Sequence, residues 1–258
     1  AQDVEALGGL GAAYSALDRD ADAVEPLEKA VEAEPDDAAL QSQLGATLLA
    51  LGRVERALPA LEKATELAPL DVEAWIAYGR ALAERGRHAD AVAALKRATD
   101  REPDRLDAQR ALGRSASESG QHELAVMAFE RVTQREAEDA DAWLALGRAR
   151  GGLGDQARAA DALKKAIGLR PDDAALHAEL GDLWMTAERP ADAEASYRSA
   201  VGLADDDGAL HARLGRAQKA RGLADDARAS FETATELAPQ LRGAWVELAR
   251  AKRAIGAD

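Results

Sequence analysis

Arginine side chains recur at a fixed spacing in a chain that is otherwise strongly acidic. The series, in steps of 34 residues, reads Arg80, Arg114, Arg148, Asp182, Arg216 and Arg250. A guanidinium group can donate two parallel hydrogen bonds to one carboxylate, so this pattern could bind acidic side chains or the carboxyl terminus of a peptide. The formal net charge of −14 makes non-specific nucleic-acid binding unfavourable.

Other reactive residue types do not form a recognisable catalytic or metal-binding set. His88 and His122 are 34 residues apart, as are His177 and His211, but a metal site needs further ligands that converge on one point. No cysteine is present, which excludes disulfides and thiolate metal sites. The glycines within 151–154 lack the preceding strand of a phosphate-binding loop. We predict structural histidines, no cofactor, no metal and no enzymatic activity.

The spacing of 34 residues extends well beyond the arginines. When positions 1–34 are counted from Ala140, position eight of seven successive segments is glycine: Gly11, Gly45, Gly79, Gly113, Gly147, Gly181 and Gly215. Position 20 is always alanine, and position 24 is always leucine, phenylalanine or tyrosine. Small residues let two helices approach closely, and large ones fill the space around that contact. The pattern therefore predicts a series of closely packed helix pairs.

The period, together with Trp143, Leu146 and Gly147 at positions four, seven and eight, resembles the tetratricopeptide repeat (TPR) family. The resemblance implies an all-α fold, an α-solenoid whose helix-turn-helix repeats stack into a right-handed superhelix. The first helix of each repeat would then line a concave groove. We predict a single solenoid domain over residues 1–258. Its repeats are placed at 4–37, 38–71, 72–105, 106–139, 140–173, 174–207 and 208–241, with a capping helix at 242–256.

Proline and glycine refine the expected helix ends. Helices are predicted near 4–17 and 20–33 in the first repeat. Pro26 and Pro59 fall inside second helices and should bend them, whereas Pro190 stands at a first helical position, where proline is favoured. Glu188 replaces the glycine that usually closes the turn within a repeat. In the last helix we expect Trp245, Leu248 and Ile255 to face inward.

The family resemblance places positions two, five, six, nine, twelve and thirteen of each first helix in the groove. These positions hold nine basic and nine acidic residues in this chain, so the groove is predicted to be neutral and the acidic excess to lie on other surfaces. The candidate partner-binding residues are Leu49, Ile76, Arg80, Arg110, Arg114, Arg148, Arg213, Arg216, Lys219, Arg250 and Arg253.

The predicted groove is uneven along its length. Its first two repeats carry small and apolar residues that could accept an apolar peptide or a partner helix. In the middle, Arg80 with Glu84 and Arg114 with Glu118 are spaced to form ion pairs on one helix face. The last positions are basic, with Glu247 as the one opposing carboxylate. That basic end is the best candidate for binding acidic side chains or a terminal carboxylate.

Three classes of function remain open. The leading interpretation is a non-catalytic scaffold that binds a peptide or helix of a partner protein in its groove. The alternatives are the substrate-recruiting region of a larger enzyme, such as a glycosyltransferase, and a self-assembling structural protein. The asparagines used by such glycosyltransferases, and by the carboxylate-clamp members of the family, are absent.

Partner and location are less constrained. We expect a protein or peptide partner, with acidic residues or a carboxyl terminus, and neither nucleic-acid binding nor membrane insertion; self-association remains open. The cytoplasm is favoured, with the periplasm as the alternative. The excess of arginine over lysine suggests a GC-rich bacterial genome. The missing initiator methionine suggests an excised or processed fragment.

Overall fold

The computed structural model describes residues 4–254 and 256, which form α-helices joined by short turns, without a strand among them. The helices are α1 Val4–Ala16, α2 Asp20–Ala33, α3 Ala38–Ala50, α4 Val54–Leu67, α5 Val72–Glu84, α6 His88–Arg101, α7 Leu106–Glu118, α8 His122–Arg135, α9 Ala140–Gly152, α10 Gln156–Leu169, α11 Ala174–Thr186, α12 Pro190–Leu203, α13 Gly208–Ala220, α14 Ala224–Leu237 and α15 Arg242–Ala254. The all-α prediction is confirmed.

The contacts divide the chain into two units, 1–132 and 133–258, with the boundary inside α8. In the first unit α1, α3 and α5 each pack on the following helix, and α1, α3, α5 and α7 also contact one another in sequence. In the second unit each helix from α9 to α14 packs on the helix that follows it. A single domain spanning both units stays a prediction.

Aspartates at position 34 explain where several first helices begin. The side chain of Asp37 accepts hydrogen bonds from the backbone N–H groups of Ala39 and Leu40, at 2.8 and 3.1 Å. Asp71, Asp173 and Asp207 accept two backbone hydrogen bonds in the same way, and Asp139 accepts one from the N–H of Ala142. Such caps satisfy backbone donors that the first turn of a helix leaves unpaired. They fix the start of α3, α5, α9, α11 and α13.

The glycines at position eight lie where two helices nearly touch. A Cβ atom added to Gly147 would lie 2.9 Å from Cγ of Leu163 and 3.3 Å from the carbonyl oxygen of Ala159. At Gly11 the added atom would lie 2.4 Å from Cγ of Leu27. Leu27 and Leu163 are both buried. The predicted close contact between position eight and position 24 is therefore confirmed.

The turn between the two helices of a repeat requires a left-handed backbone at position 15. Gly154 has φ of +76°, and four other repeats also have glycine there with positive φ. Asp18 and Glu188 occupy the equivalent sites with φ of 56°. Side chains with a Cβ are disfavoured in this region. The replacement at Glu188, noted from the sequence, therefore keeps the turn while straining the backbone.

Position four contributes a hydrogen bond that links neighbouring repeats. Its side-chain N–H bonds to the backbone carbonyl six residues earlier, across the turn between repeats. The pairs are Gln41 with Pro35, Trp75 with Pro69, Gln109 with Pro103, Trp143 with Ala137, His177 with Pro171, His211 with Asp205 and Trp245 with Pro239, at 2.8–3.0 Å. Two of the histidines thus have a structural role.

This hydrogen bond also corrects one prediction. Trp245 does not face inward, because its Nε1 atom donates to the turn and half of the side chain remains exposed. Leu248 is buried in a cluster with Phe231 and Ala251, as expected. Ile255 lies outside the described residues.

The helix ends predicted for the first repeat are confirmed to within one residue. Pro190 is the first residue of α12, as predicted. Pro26 and Pro59 lie inside α2 and α4, which continue through them, and the predicted bends stay predictions. Within the described part of the chain, no helix has the length and apolar character needed to span a bilayer.

Candidate functional site

The first unit contains a pocket of about 480 Å³ between α3 and α5. It is lined by Ser42, Ala46, Leu49, Ala50, Glu73, Ile76, Ala77, Arg80 and Glu84. The structure thus brings together three candidates, Leu49, Ile76 and Arg80. Leu49 is half-buried, whereas Ile76 is almost fully buried against Ala98 and Ala108. Leu49 therefore offers more apolar surface to a ligand than Ile76 does.

The arginines of the first unit do not pair as predicted. Nη2 of Arg80 lies 3.3 Å from Oδ2 of Asp107 in the next repeat, instead of contacting Glu84 on its own helix. An ion pair between Arg114 and Glu118 is likewise absent from the described residues, and Arg114 is exposed. The prediction of pairs within one helix was wrong. That prediction did not consider the carboxylates of the following repeat, one of which pairs with Arg80. Arg110 is half-buried.

In the second unit, charged residues connect successive first helices. Nε and Nη2 of Arg148 donate to the two carboxylate oxygens of Glu179, at 2.6 and 2.8 Å. These hydrogen bonds raise the pKa of Arg148 above its ordinary value, with burial opposing the shift. Nη1 of Arg213 lies 3.0 Å from Oδ2 of Asp182. Both contacts join position nine of one repeat to position six of the next.

Asp182 has a second partner on α12. The hydroxyl of Tyr197 donates to Oδ1 of Asp182 at 2.6 Å. Burial raises the pKa of the buried Tyr197 hydroxyl, and the hydrogen bond to Asp182 raises it further. The phenol therefore stays protonated and holds the carboxylate that Arg213 contacts.

Glu247 is shared between two cations at the predicted basic end. Nζ of Lys219 lies 2.5 Å from Oε2 of Glu247, and Nη1 of Arg250 lies 2.8 Å from Oε1. The hydrogen bond from Lys219 lowers the pKa of Glu247, and the bond from Arg250 adds to this effect. Glu247 thus joins α13 to α15.

Arg216 and Arg253 are exposed, and neither forms an ion pair with any residue that the structure describes. The reason at Arg216 is visible in the spacing. The ion-pair partner of Arg80, Asp107, lies 27 residues later in the sequence, and the partner of Arg148, Glu179, lies 31 residues later. For Arg216 these two steps lead to Gly243 and to Glu247, which already binds two cations. A Cβ added to Gly243 would lie 3.7 Å from Nη2 of Arg216.

Sequence reasoning missed Asp107, Glu179 and Asp182 as partners of the candidate arginines. The feature that could have identified them is their separation of 27 or 31 residues from the arginine. This separation indicates a contact only when the geometry of the turns between the helices is known. The histidines do not cluster with other metal-binding types. In the residues that the structure describes, no group of three or more such ligands lies close together.

Models of the tetratricopeptide repeat match residues 4–37, 43–105, 110–150 and 144–208 of the chain. A search of curated proteins gave no significant match. Among solved structures, the chain is similar to the C-terminal part of a TPR repeat-containing protein from Cytophaga hutchinsonii. The TM-score is 0.73 at 17% identity, and the alignment covers 93% of this chain and 99% of the other.

Two further structures are similar over a shorter part of the chain. YrrB, described as a TPR protein with an unusual peptide-binding site, aligns with a TM-score of 0.65 at 21% identity, over 75% of this chain and 97% of its own. MamA from Desulfovibrio magneticus RS-1 aligns with a TM-score of 0.60 at 25% identity, over 65% and 95%. The family models match well over half of the residues, and the helix pairs repeat with the same period. The chain belongs to the tetratricopeptide repeat family.

Proposed function

We propose that the chain is a non-catalytic scaffold that binds an acidic segment, or the terminal carboxylate, of a partner protein on α13 and α15 of its second unit. The observation that carries this proposal is the unpaired, exposed Arg216. Its equivalents Arg80 and Arg148 each contact a carboxylate of the next repeat, whereas Arg114 in the first unit is exposed and has no ion pair among the described residues. The ligand would supply the carboxylate that Gly243 does not.

The surroundings of Arg216 favour an anion. Five of the cations on these two helices are candidate partner-binding residues, and the structure gives these five two carboxylate partners, Asp182 and Glu247. The five are Arg213, Arg216, Lys219, Arg250 and Arg253. Arginine is well suited to this role because its fork of N–H donors matches a carboxylate in two hydrogen bonds.

The pocket of the first unit supports a second type of contact. Leu49 and the neighbouring alanines at 46, 50 and 77 give it apolar walls. A peptide side chain of modest size could be buried there, as in other peptide grooves. The description of YrrB as a peptide-binding TPR protein supports the general class of ligand.

The proposal predicts that Arg216→Glu weakens binding of acidic peptides. We would screen fluorescent peptides that carry Asp and Glu clusters or an unmodified C-terminus, and measure affinity by anisotropy. Loss of a charge-assisted hydrogen bond corresponds to about 1.5–3 kcal/mol, so we expect an affinity roughly 10- to 100-fold lower. Binding to the unaltered chain should also weaken as salt is added.

Arg97→Glu is the matched control, because it makes the same change of charge at an exposed position on α6. It should leave affinity close to that of the unaltered chain. Peptides with Gln in place of Glu and an amidated C-terminus control for the ligand. Equal binding by Arg216→Glu and the unaltered chain, or equal binding of Gln and Glu peptides, would contradict the proposal. A triple reversal of Arg213, Arg216 and Arg250 to Glu would be less suitable, because it also removes one cation from Asp182 and one from Glu247.

A further inference from the structure

A pocket of about 720 Å³ in the second unit lies outside the predicted groove. It is formed by Ala137, by Trp143 near the start of α9, and by exposed residues of α10 between 161 and 169; we call it the α10 pocket. Nε1 of Trp143 donates to the carbonyl oxygen of Ala137 at 2.8 Å, so the indole is held as one wall. Leu169, which is 38% exposed, adds apolar surface. Ligand sites in proteins typically have volumes of roughly 300–1,000 Å³, so the α10 pocket is large enough to hold part of a ligand.

Gly168 leaves this side of α10 open. It stands at position 29, where five of the seven repeats have an acid or an amide: Glu32, Glu66, Asp100, Gln134 and Glu236. The other exception is Gly202 in α12. A Cβ atom added to Gly168 would lie in open space. The α10 pocket therefore lacks the side chain, and in most cases the negative charge, that other second helices carry at this point.

Two lysines give the α10 pocket a positive rim. Lys164 and Lys165 both line it and are exposed. Asp161 also lines the pocket and lies three and four residues before them, but neither lysine forms an ion pair with any residue that the structure describes. Helix α10 carries three basic side chains and one carboxylate, a formal charge of +2, in a chain of net charge −14. The pocket thus combines an aromatic wall with cations that are available to an anionic ligand.

We infer that the α10 pocket binds an acidic segment of a partner protein that inserts one aromatic side chain. The inserted ring packs against Trp143, and aromatic pairs of this kind are favourable at centroid distances of about 4.5–7 Å. Carboxylates beside it in the segment pair with Lys164 and Lys165, whose ammonium groups are point charges on flexible stems. This site shares no residue with the proposed contact at Arg216 and does not rest on it.

The shape of the α10 pocket favours a protein segment over a free small molecule. Small-molecule sites bury roughly 70–90% of their ligand. Here every lining residue on α10 is exposed, so the pocket encloses only part of what it binds. One inserted side chain, with its main chain continuing across the surface, fits such an opening.

Fluorescence anisotropy tests this inference with a labelled peptide in which phenylalanine stands between two pairs of glutamates and the C-terminus is amidated. Affinity is measured for the full chain, both unaltered and with Arg216→Glu, which removes the other proposed site. Gly168→Glu introduces the residue that other repeats have at position 29, so it should fill the pocket and repel the peptide. We expect an affinity about tenfold lower, because an aromatic and a charged contact are lost together. Gly202→Glu is the matched control, since it makes the same change at the same position of α12, also in open space; it should bind like the unaltered chain.

Trp143→Gln tests the aromatic wall while keeping the hydrogen bond at position four. Gln41 and Gln109 form that bond at the equivalent sites, so the fold should be retained, and circular dichroism of the variant verifies this. The variant should bind the phenylalanine peptide as weakly as the unaltered chain binds a peptide with alanine in its place. Trp75→Gln makes the same change in α5 and should leave affinity unchanged.

Three results would overturn the inference. The first is no binding of the peptide, or equal binding by Gly168→Glu and Gly202→Glu in the Arg216→Glu chain. The second is equal affinity for the phenylalanine peptide and its alanine counterpart. The third is displacement of the peptide by free 3-phenylpropionate at similar concentration, which would assign the pocket to small aromatic carboxylates. Binding that Arg216→Glu weakens and Gly168→Glu leaves intact would support the site at Arg216 and contradict this one, and the reverse result would do the opposite.

Discussion

Gly147 sets how closely the two helices of its repeat approach. Any side chain there must displace Leu163, whose Cγ would lie 2.9 Å from an added Cβ, in a region where the backbone carbonyl of Ala159 is also close. Packed cores tolerate such added volume poorly, because neighbouring side chains leave their preferred rotamers.

Gly147→Leu should therefore lower the free energy of unfolding by about 1–3 kcal/mol, measured by urea denaturation. Gly168→Ala provides the control. Gly168 lies in α10 with open space where a Cβ would be, and alanine favours a helix by up to about 1 kcal/mol. A Gly147→Leu chain as stable as the unaltered protein would show that the two helices of the repeat can move apart without cost.

At position 15 of the repeat, the cost of a left-handed backbone can be tested by removing a side chain in one repeat and adding one in another. Glu188 adopts a φ of 56°, whereas Gly154 has φ of +76° at the equivalent site. Left-handed backbone costs a residue with a Cβ roughly 1–2 kcal/mol. Glu188→Gly should therefore raise stability by about 1 kcal/mol, and Gly154→Ala should lower it by a similar amount. Thermal melts of the two variants check both signs, and a change of the same sign in both would refute this explanation of the turn.

Some of these residues were predictable and others were not. The glycines at position eight were, because seven occurrences in one frame require a close approach. The orientation of Trp245 was not. A tryptophan on an amphipathic helix was expected to be buried, but the nearby carbonyl of Pro239 offers a hydrogen bond at the surface. Position four holds Gln, His or Trp from the second repeat on, and all three side chains carry an N–H donor. The hydrogen bond at this position could therefore have been predicted from the sequence.

The contact between α13 and α15 depends on Glu247. Its pKa is lowered in the folded chain by Lys219 and Arg250, so its ionised form stabilises the fold. That contribution is fully present above the ordinary glutamate pKa of about 4.3 and is lost as the pH falls through the lower folded value.

Glu247→Gln should lower stability at neutral pH by up to about 1 kcal/mol, since its partners are partly exposed. It should also reduce the loss of stability between neutral and acidic pH. Urea denaturation at several pH values measures both effects. Asp225→Asn, at a carboxylate that is 82% exposed, is the control and should retain the original pH dependence. An unchanged pH profile for Glu247→Gln would contradict the assigned role.

The helices themselves were largely predictable, and their charged connections were not. The ends of α1 and α2 follow from the period and from turn residues. The ion pairs of Arg80 and Arg148 depend on carboxylates 27 and 31 residues away. Both offsets bring a residue of the next first helix within reach. The choice between them depends on side-chain geometry, which a pattern of residue types does not contain.

Across the whole chain the net charge of −14 conceals a strong asymmetry, from acidic residues 4–37 to basic residues 242–256. Counting groove positions predicted overall neutrality and a basic end. Counting alone could not show which cations have partners inside the protein. Of the candidate cations in the second unit, the ion pairs assign carboxylates to Arg148, Arg213, Lys219 and Arg250, and among the residues that the structure describes they leave Arg216 and Arg253 without one. The proposed ligand site follows from this difference.

The most direct test of that site is to supply the missing carboxylate from within the chain. Gly243→Asp places an acid where Asp107 serves Arg80, near the start of α15. An aspartate there favours the helix N-terminus and replaces a glycine, so stability should rise by about 1 kcal/mol. Affinity for an acidic peptide should fall about tenfold, because Arg216 is then occupied. A chain that is stabilised and still binds the peptide with unchanged affinity would show that Arg216 does not hold the ligand.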